Sequence, residues 1–448
     1  MFSPDKLLHQ LRDQPEAPCY WVAYSGGLDS HVLLHVLGSV RDELGARIGA
    51  VHVNHGLQAE AGQWEAHCRQ VCADLDIDYV SLHVDARAMP GESPEAAARV
   101  ARYQALADWL PAGHGLLTAQ HQDDQAETLL LQLLRGSGVN GLAAMPALTG
   151  LGNGWHLRPL LAFTRNSLHD YALRCELSWV EDPSNTDTAY DRNFLRQRIL
   201  PVLQERWPAA SATLSRSAVH CAEAAELLAA LAVQDLHDVA GQQRNSLSLK
   251  RLVALPVMQQ RNVLRLWTRK AAGMPPSTAV LARIQNDILA SRPDAEPCVR
   301  WGQHEVRRYR DDLFLLPQSR EPDRNQVIDW EMTEPLRLPD AGGVLSVSQQ
   351  TGQGIRKTAI ADAGVRVTWR HGGERCHPAG RGHHHSLKKL FQEQGIPPWE
   401  RAHIPLIYIG DRLAAVAGLW VCEPFQAGPQ ESGLLINWER HNKSSLSG

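Results

Sequence analysis

The sequence predicts an α/β fold. It begins with a doubly wound, mainly parallel sheet over the first two hundred residues or so, continues through a helical connector domain and ends in a small mixed α+β domain. Three observations predict it. Short apolar runs bounded by turn residues alternate with segments carrying apolar residues at helical spacing. The polar and glycine-rich motifs fall where a strand runs into a helix, at the edge where parallel sheets bind ligands. Past Arg192 the pattern turns helical, and past the linker Glu321-Pro322-Asp323-Arg324 it becomes short strands separated by glycine turns.

The first strand is residues 19–24 and the first long helix spans 31–44. Between them runs Tyr24-Ser25-Gly26-Gly27-Leu28-Asp29-Ser30. The glycines let the backbone turn tightly with its amides exposed, and the helix start adds a positive dipole end. With hydroxyls from Ser25 and Ser30, this nest suits a polyphosphate, and Asp29 is placed to reach a metal ion carried by it. No Gly-Lys-Ser/Thr follows, so it is not the loop of kinases and GTPases. Further strands are predicted at 48–53, 79–84 and 116–120, with helices at 59–75, 94–110 and 123–134. Residues 155–161 read as an edge strand.

From Arg192 to about Ser291 the chain reads as helical, with one long helix over 217–236. The last part carries turns at Gly342-Gly343 and Gly372-Gly373, a helix at 386–394 and a hairpin over 404–421 turning at Gly410-Asp411. The domains expected are a nucleotide-binding catalytic domain (1–210), a helical connector (211–320) and a C-terminal α+β domain (321–448).

A chain of 448 residues, 44% hydrophobic and 21% charged, is a globular protein of two or three domains. The start lacks the layout of a signal peptide and no apolar stretch reaches membrane-spanning length, so a cytoplasmic protein is expected. Cysteines stand at 19, 68, 72, 175, 221, 298, 376 and 422 with no Cys-x-x-Cys pair; all are read as reduced and structural, Cys68 and Cys72 sharing a core face. The net charge of −4 does not announce a nucleic-acid partner. Locally, however, residues 366–403 hold seven Lys/Arg against three Glu, with six histidines, and Arg192, Arg196 and Arg198 form a second basic group. Such patches fit an anionic partner gripped at chosen places.

Two more segments carry polar side chains to the same sheet edge. His52-Val53-Asn54-His55-Gly56-Leu57 ends the second strand, where an adenine or ribose would lie; a histidine pair there can equally belong to the core or cap a helix. Ala119 to Thr128 ends a strand and opens a helix, bringing His121, Asp123, Asp124 and Glu127 together. Acidic residues in a first helical turn also serve as dipole partners, but Glu127 lies about one turn beyond Asp124, ahead of Leu129-Leu130-Leu131. His121 could contact phosphate or a developing charge. Leu134-Arg135-Gly136-Ser137-Gly138 adds a guanidinium and a glycine turn near that edge.

Together these segments resemble bacterial tRNA(Ile)-lysidine synthetases of the ATP pyrophosphatase-loop superfamily, in the long form with C-terminal domains. The resemblance is carried by the 25–30 loop, His52 to Leu57, Glu95 to Tyr103, His121 with Asp124 to Thr128, and Leu134 to Gly138. It continues through Arg158-Pro159-Leu160-Leu161, Glu181 to Asn185 and Arg192-Asn193-Phe194-Leu195-Arg196. It resumes at Arg370 to Glu374, Lys388 to Phe391, Pro398 to Arg401 and Ile404-Pro405-Leu406. One departure is Gln58, where the family usually has Arg.

The resemblance implies a Rossmann-like ATP pyrophosphatase sheet and an enzyme that uses ATP and Mg²⁺ to adenylate the wobble cytidine of tRNA(Ile) with a CAU anticodon. Pyrophosphate leaves, free L-lysine attacks the activated ring carbon, and AMP departs. The product, lysidine, reads A rather than G and changes both codon and amino-acid identity from Met to Ile. Catalytic residues implied are Asp29, His121, Asp124, Glu127 and Arg192, with Asp29 on the Mg²⁺ side and Glu127, next to Asp124, holding the lysine ammonium or taking its proton. ATP would be bound by Ser25, Gly26, Gly27, Leu28, Asp29, Ser30, His52, Asn54, His55, Arg99 and Arg135. Arg196, Arg370, Lys388, Lys389 and Arg401 would bind tRNA; Arg102 is a further phosphate candidate. A homodimer stays open. Trp369 and Trp399 could stack on bases or belong to the core, and His383-His384-His385 reads as a polar loop, since consecutive residues cannot all face one ion.

Three rivals share parts of this pattern. A tRNA thiolase would need paired cysteines. A small-molecule amidotransferase of the superfamily would need no basic C-terminal domain, and Phe2 stands where a nucleophilic cysteine would follow Met1. A nucleotide sensor could dispense with the polar set from His121 to Glu127.

Overall fold

The computed structural model describes residues 2–440 except 55, 57–59, 86–93, 244, 274, 293–294, 319, 340–341 and 361–363; at 94–96, 184 and 185 it describes only the backbone. The His55 and Gln58 positions therefore lie outside the described residues. The chain divides into two compact units, Met1–Leu231 and Ala232–Gly448.

In the first unit, α1 (Pro4–Arg12) leads to β1 (Cys19–Ala23), α2 (Leu28–Ser39) and the short α3 (Arg41–Leu44). Then follow β2 (Arg47–Asn54), α4 (Ala61–Asp74), β3 (Asp78–His83), α5 (Pro94–Trp109), β4 (Gly115–Leu117) and α6 (Gln122–Leu134). The short α7 (Val139–Leu142), β5 (Leu148–Leu151), β6 (Gly154–Leu157) and α8 (Arg165–Arg174) complete the sheet region. The strand order is β3-β2-β1-β4-β6-β5, parallel throughout except β5. Residues 155–161 were expected to form the edge strand. Instead β6 lies inside, against β4, because the Gly152 turn (φ 54°) folds β5 back along its outer side.

β1 is buried over its first four residues and α2 buries Leu28, Val32, Leu33, Leu34, Val36 and Leu37. These pack with α1 and α8 into one core, where Phe2 meets the rings of Phe163 and Tyr171 edge-on. On the other face, Trp21, Leu106, Leu110 and Leu116 form a second cluster under α5. A Cβ on Gly49 would strike the Trp21 ring, so the close approach of β1 and β2 there requires glycine. Cys68 and Cys72 are both fully buried on α4, as expected of a shared core face.

Since β1 sends the chain to β2 on one side and pairs with β4 on the other, the strand order reverses between β1 and β4. A crevice opens there at the carboxyl ends of the strands. The loop after β1 and the start of α6 after β4 face each other across it. The chain continues through α9 (Asp191–Phe194), which packs on α6, a π-helical turn (Leu195–Ile199), α10 (Leu200–Arg206) and α11 (Ala210–Asp238), the long helix expected near 217–236.

In the second unit, three helices between Leu249 and Arg283 pack on a four-stranded antiparallel sheet. Its order is Ser246–Ser248, Asp312–Pro317, His304–Tyr309, Cys298–Trp301. The helical reading of 211–320 did not include that sheet; its strands are short and its core residues Val299, Val306 and Leu313 are sparse in sequence. A five-stranded and a four-stranded sheet then share one core around Trp369, Leu390, Phe391, Ile407 and Val416. The hairpin turns at Gly410 as the sequence indicated, Ile409 pairing with Arg412. Against the expectation of eight reduced thiols, Cys376 and Cys422 form a disulfide with Cα atoms 6.1 Å apart; a separation of 46 residues gave no local sign of it. No helix among the described residues is long and apolar enough to cross a membrane.

Candidate active site

The loop after β1 is built as its residues predict. Gly26 has φ of +83°, and a Cβ there would lie 3.0 Å from Cys68 Sγ. Its carbonyl accepts from Val180 N–H at 2.9 Å. Ser30 Oγ donates to Gly27 O at 3.0 Å and lies 3.1 Å from Ser25 Oγ, closing the turn. Gly27 caps α2, so the first amides of the helix, at Leu28, Asp29 and Ser30, point out without intrahelical acceptors. The tight turn and the free helix-start amides expected there are therefore present.

Across the crevice, His121 is 1% exposed and caps α6 in a reciprocal box: Asp124 N–H donates to its Nδ1 at 3.4 Å, and its own N–H donates to Asp124 Oδ2 at 3.0 Å. Its Nε2 lies 3.4 Å from Asp124 Oδ2 and 3.6 Å from Asp29 Oδ2. Burial pulls its pKa down, but the carboxylates of Asp124, Asp29 and Asp123 together hold it above the ordinary value. The neutral ring satisfies the cap through Nδ1 and turns an Nε2 proton toward the two carboxylates. On protonation, Nδ1 loses the amide and faces Asp123 Oδ2 at 3.8 Å.

Because the folded pKa is raised, His121 stabilises the fold fully below the unfolded value of 6.5, and loses that contribution as pH rises through the folded value. His121→Gln is accordingly expected to lower the urea midpoint more at about pH 6 than at about pH 9. Equal losses at both would show that the ring's charge does not contribute.

Glu127 is fully buried. Its Oε1 accepts from Arg196 Nε at 2.6 Å; its Oε2 accepts from Arg192 Nε and an Arg196 terminal nitrogen, each at 3.0 Å. Burial raises the Glu127 carboxyl against the pull of Arg196 and Arg192, while the paired Arg196 is held still more firmly charged. Arg196 also reaches Asp124 Oδ1 at 2.7 Å, and Arg192 reaches Thr128 Oγ1 at 2.9 Å. Burial works against ionisation of Asp124 too, but His121, Arg192 and Arg196 hold its carboxyl below the usual range. The expected catalytic set of Asp29, His121, Asp124, Glu127 and Arg192 is thus one connected cluster. Arg196, expected on the tRNA side, belongs to it as well, as a partner of two carboxylates.

Asp29 Oδ1 is buried and has no hydrogen-bond partner. A hard, unpaired carboxylate oxygen beside a phosphate nest fits Mg²⁺ arriving with a nucleotide. Among the described residues no group of three or more His, Cys, Asp or Glu is arranged to hold a metal ion. The His383-His384-His385 triplet, read as a polar loop, is a loop only in part: His385 opens a two-residue strand and pairs with Cys376.

The other expected ATP ligands divide. His52 is buried and donates through Nδ1 to Tyr24 O at 2.9 Å, which fixes its tautomer and leaves Nε2 an acceptor; burial lowers its pKa. Asn54 donates to Glu65 Oε2 at 3.0 Å and accepts from Gly56 N–H at 2.9 Å, so its amide shapes the loop after β2. Arg99 is exposed, with its guanidinium 5.0 Å from the Tyr103 ring centre. Arg135 is the correction. It caps the far end of the 13-residue α6, about 20 Å along the axis from His121 at 1.5 Å per residue, beyond reach of the phosphate nest.

Lys388 and Lys389 are exposed on the helix Leu387–Glu393, which buries Leu387, Leu390 and Phe391 beneath them. Arg370 lies 3.4 Å from Glu374. Arg401, expected to hold tRNA, is 6% exposed; it donates to Ile396 O at 2.8 Å and stands over the Tyr309 ring, so it is structural. Trp369 is buried in the core, and Trp399 packs against Phe314 and Tyr309.

Sequence reasoning missed the buried network behind the site. Arg158 donates to Pro146 O at 2.7 Å and lies 3.2 Å from His156 Nδ1; His156 Nε2 lies 2.8 Å from Thr118 Oγ1. Gln125 grips Met145 through two hydrogen bonds of 2.7 and 2.9 Å. Arg158-Pro159 and Gln125, each noted as part of a motif, were the parts of it visible in the sequence.

Residues 3–203 match the PP-loop domain family, 247–314 the TilS substrate-binding domain and 365–438 the TilS substrate C-terminal domain. The tRNA(Ile)-lysidine synthase of Coxiella burnetii is 44% identical over 97% of this chain and 96% of its own length. That of Methylococcus capsulatus is 45% identical, over 94% and 96%. The chain belongs to the tRNA(Ile)-lysidine synthase family. Among solved structures, a U34-tRNA thiolase from Methanococcus maripaludis, described with its [4Fe-4S] cluster, aligns with a TM-score of 0.42. It is 18% identical over 49% of this chain and 77% of that one, a likeness too small to carry an argument. The match to these relatives runs over nearly the whole chain, the His121–Glu127 cluster and both family domains of the second unit included.

Proposed function

We propose that this chain ligates L-lysine to the wobble cytidine of tRNA(Ile) with a CAU anticodon, using ATP and forming an adenylated cytidine. The observation that carries this is identity of 44% over nearly the whole chain with a tRNA(Ile)-lysidine synthase. The chemistry of the crevice agrees with it.

The amides of the 25–30 loop and the start of α2 receive the polyphosphate. Asp29 would hold Mg²⁺ there through Oδ1, supplying charge neutralisation for pyrophosphate departure. His121 faces Asp29 and Asp124 through Nε2 and, when protonated, adds positive charge behind the loop and holds Asp29 at it. The target base must be unstacked to reach this edge, and an anticodon loop offers such bases at low cost. Lysine then attacks as its free amine, which requires a proton acceptor. Both Glu127 oxygens are engaged by arginines, and both Asp124 oxygens by Arg196 and the His121 amide. Either carboxylate takes the proton by exchanging one of these contacts, and Glu127 also holds Arg192 and Arg196 in place.

In this reading, residues 1–210 carry catalysis, 211–320 connect, and 321–448 grip the tRNA away from its anticodon. Replacing Lys388 and Lys389 together by Glu is expected to weaken tRNA binding and reduce the salt slope of log K by about 2, with ATP affinity unchanged. An unaltered slope would remove these lysines from the tRNA interface. For the function itself, tRNA-dependent pyrophosphate release separates an enzyme from a nucleotide sensor: release only when tRNA(Ile) is added supports the reading, and none at all contradicts it.

A further inference from the structure

Asp124, Glu127, Leu131 and Leu134 follow one another on α6 at intervals of three, four and three residues, which places them on one helix face. The inner end of that face carries the catalytic carboxylates. At the outer end, Leu134 is 77% exposed, its neighbour Leu133 is 57% exposed, and the exposed Arg135 follows. No acidic residue lies between 129 and 138. Arg196 bonds to Asp124 and Arg192 to Thr128, so α9 runs antiparallel to α6, and Tyr190 at its start lies toward the same outer end. Tyr190 is 37% exposed, and Phe194, one helical turn on, is 45% exposed. Aromatic and apolar side chains therefore stand in solvent along the elements that build the active site, accompanied by Arg135 at the end of α6 and by the exposed Asp191 beside Tyr190.

We propose that the outer end of α6 and the start of α9 form a stacking surface for the unpaired anticodon nucleotides next to the reacting cytidine, with Arg135 as their phosphate contact. The proposal rests on this tRNA being the substrate. Exposed rings and leucines with one guanidinium at the end of the face match a single-stranded nucleic acid, whose bases stack on aromatics and whose phosphates need a cation. Their continuity with Glu127 and Asp124 gives the direction: a base entering the crevice leaves its neighbours along this face. It also gives Arg135 a role at the place where the structure puts it, far from the phosphate nest.

The probe is an isolated anticodon stem-loop RNA of this tRNA, titrated against the full chain. Tyr190→Ala and Leu134→Glu are each expected to weaken its binding about tenfold or more, while Tyr190→Phe, which keeps the ring, binds as wild type. Arg135→Ala is expected to lower the salt slope by about 1. ATP affinity, unchanged in all four, reports that the fold is intact. In turnover, KM for tRNA rises while kcat is retained. Stem-loop affinity unchanged in Tyr190→Ala and Leu134→Glu would overturn the proposal. So would equal loss in Tyr190→Phe, or variants that alter only self-association, which would make the surface a contact between copies. If the wild type binds the stem-loop in this ring-dependent way but transfers no lysine, the surface stands and the proposed reaction falls. Lysine transfer with no effect of the ring removes the surface alone.

Discussion

Asp29→Ala is expected to lower pyrophosphate release by at least about 10³-fold while the protein stays folded. Both halves follow from the geometry. Asp29 Oδ1 is buried without a partner, and its other oxygen lies 3.6 Å from His121 Nε2. Asp29 is 29% exposed and its ion-pair neighbour is the His121 ring, so its removal costs the fold no more than a single partly exposed ion pair. The thermal midpoint should therefore change little. Activity should collapse, because the loop's amides alone leave the polyphosphate charge under-neutralised. Asp29→Asn, which keeps the shape but not the charge, should be nearly as inactive. Near-normal turnover in a folded variant would remove Asp29 from the chemistry.

Glu127→Ala, by contrast, should lower stability. This carboxylate is fully buried and takes hydrogen bonds from two guanidinium groups that are themselves only 26% and 28% exposed. Removing one partner of such a cluster leaves uncompensated charge, at a cost of about 3–5 kcal/mol for fully buried pairs. The partial exposure of Arg192 and Arg196 places the expected loss at the lower end of that range. Turnover should fall with it, since both arginines lose the anchor that aims them at the crevice. Denaturant unfolding and pyrophosphate release on the same preparation check the two effects together. A variant as stable as wild type would contradict the buried ion-pair account. Full stability loss with unchanged turnover in the folded fraction would confine Glu127 to the fold.

The contrast between these residues shows what the sequence could and could not convey. The strand-to-helix junctions at Tyr24 and Ala119 were legible because hydrophobic period, glycine placement and polar clustering all change at the same residues. That located the loop, His121 and the acidic helix start. The sequence did not reveal that Arg196 turns inward. Arg192 was expected in the catalytic set and Arg196 on the tRNA side, and only the packing of α9 against α6 places both on Glu127. Arg401 misled for the same reason, its neighbour Tyr309 lying 92 residues away in the chain. Arg135 misled through its adjacency to a motif: a straight helix carries its far end away from the site that its first turn builds. The inner placement of β6 depended on the turn at Gly152, a local conformation that strand propensity does not encode.

The most direct test of the central claim is transfer of radiolabelled lysine to an unmodified tRNA(Ile) transcript with a CAU anticodon, with and without ATP, and with methionine tRNA as control. ATP-dependent label on the isoleucine tRNA alone is the predicted result. No label on either RNA, with pyrophosphate still released, would contradict lysine as the nucleophile and leave only the adenylation step standing.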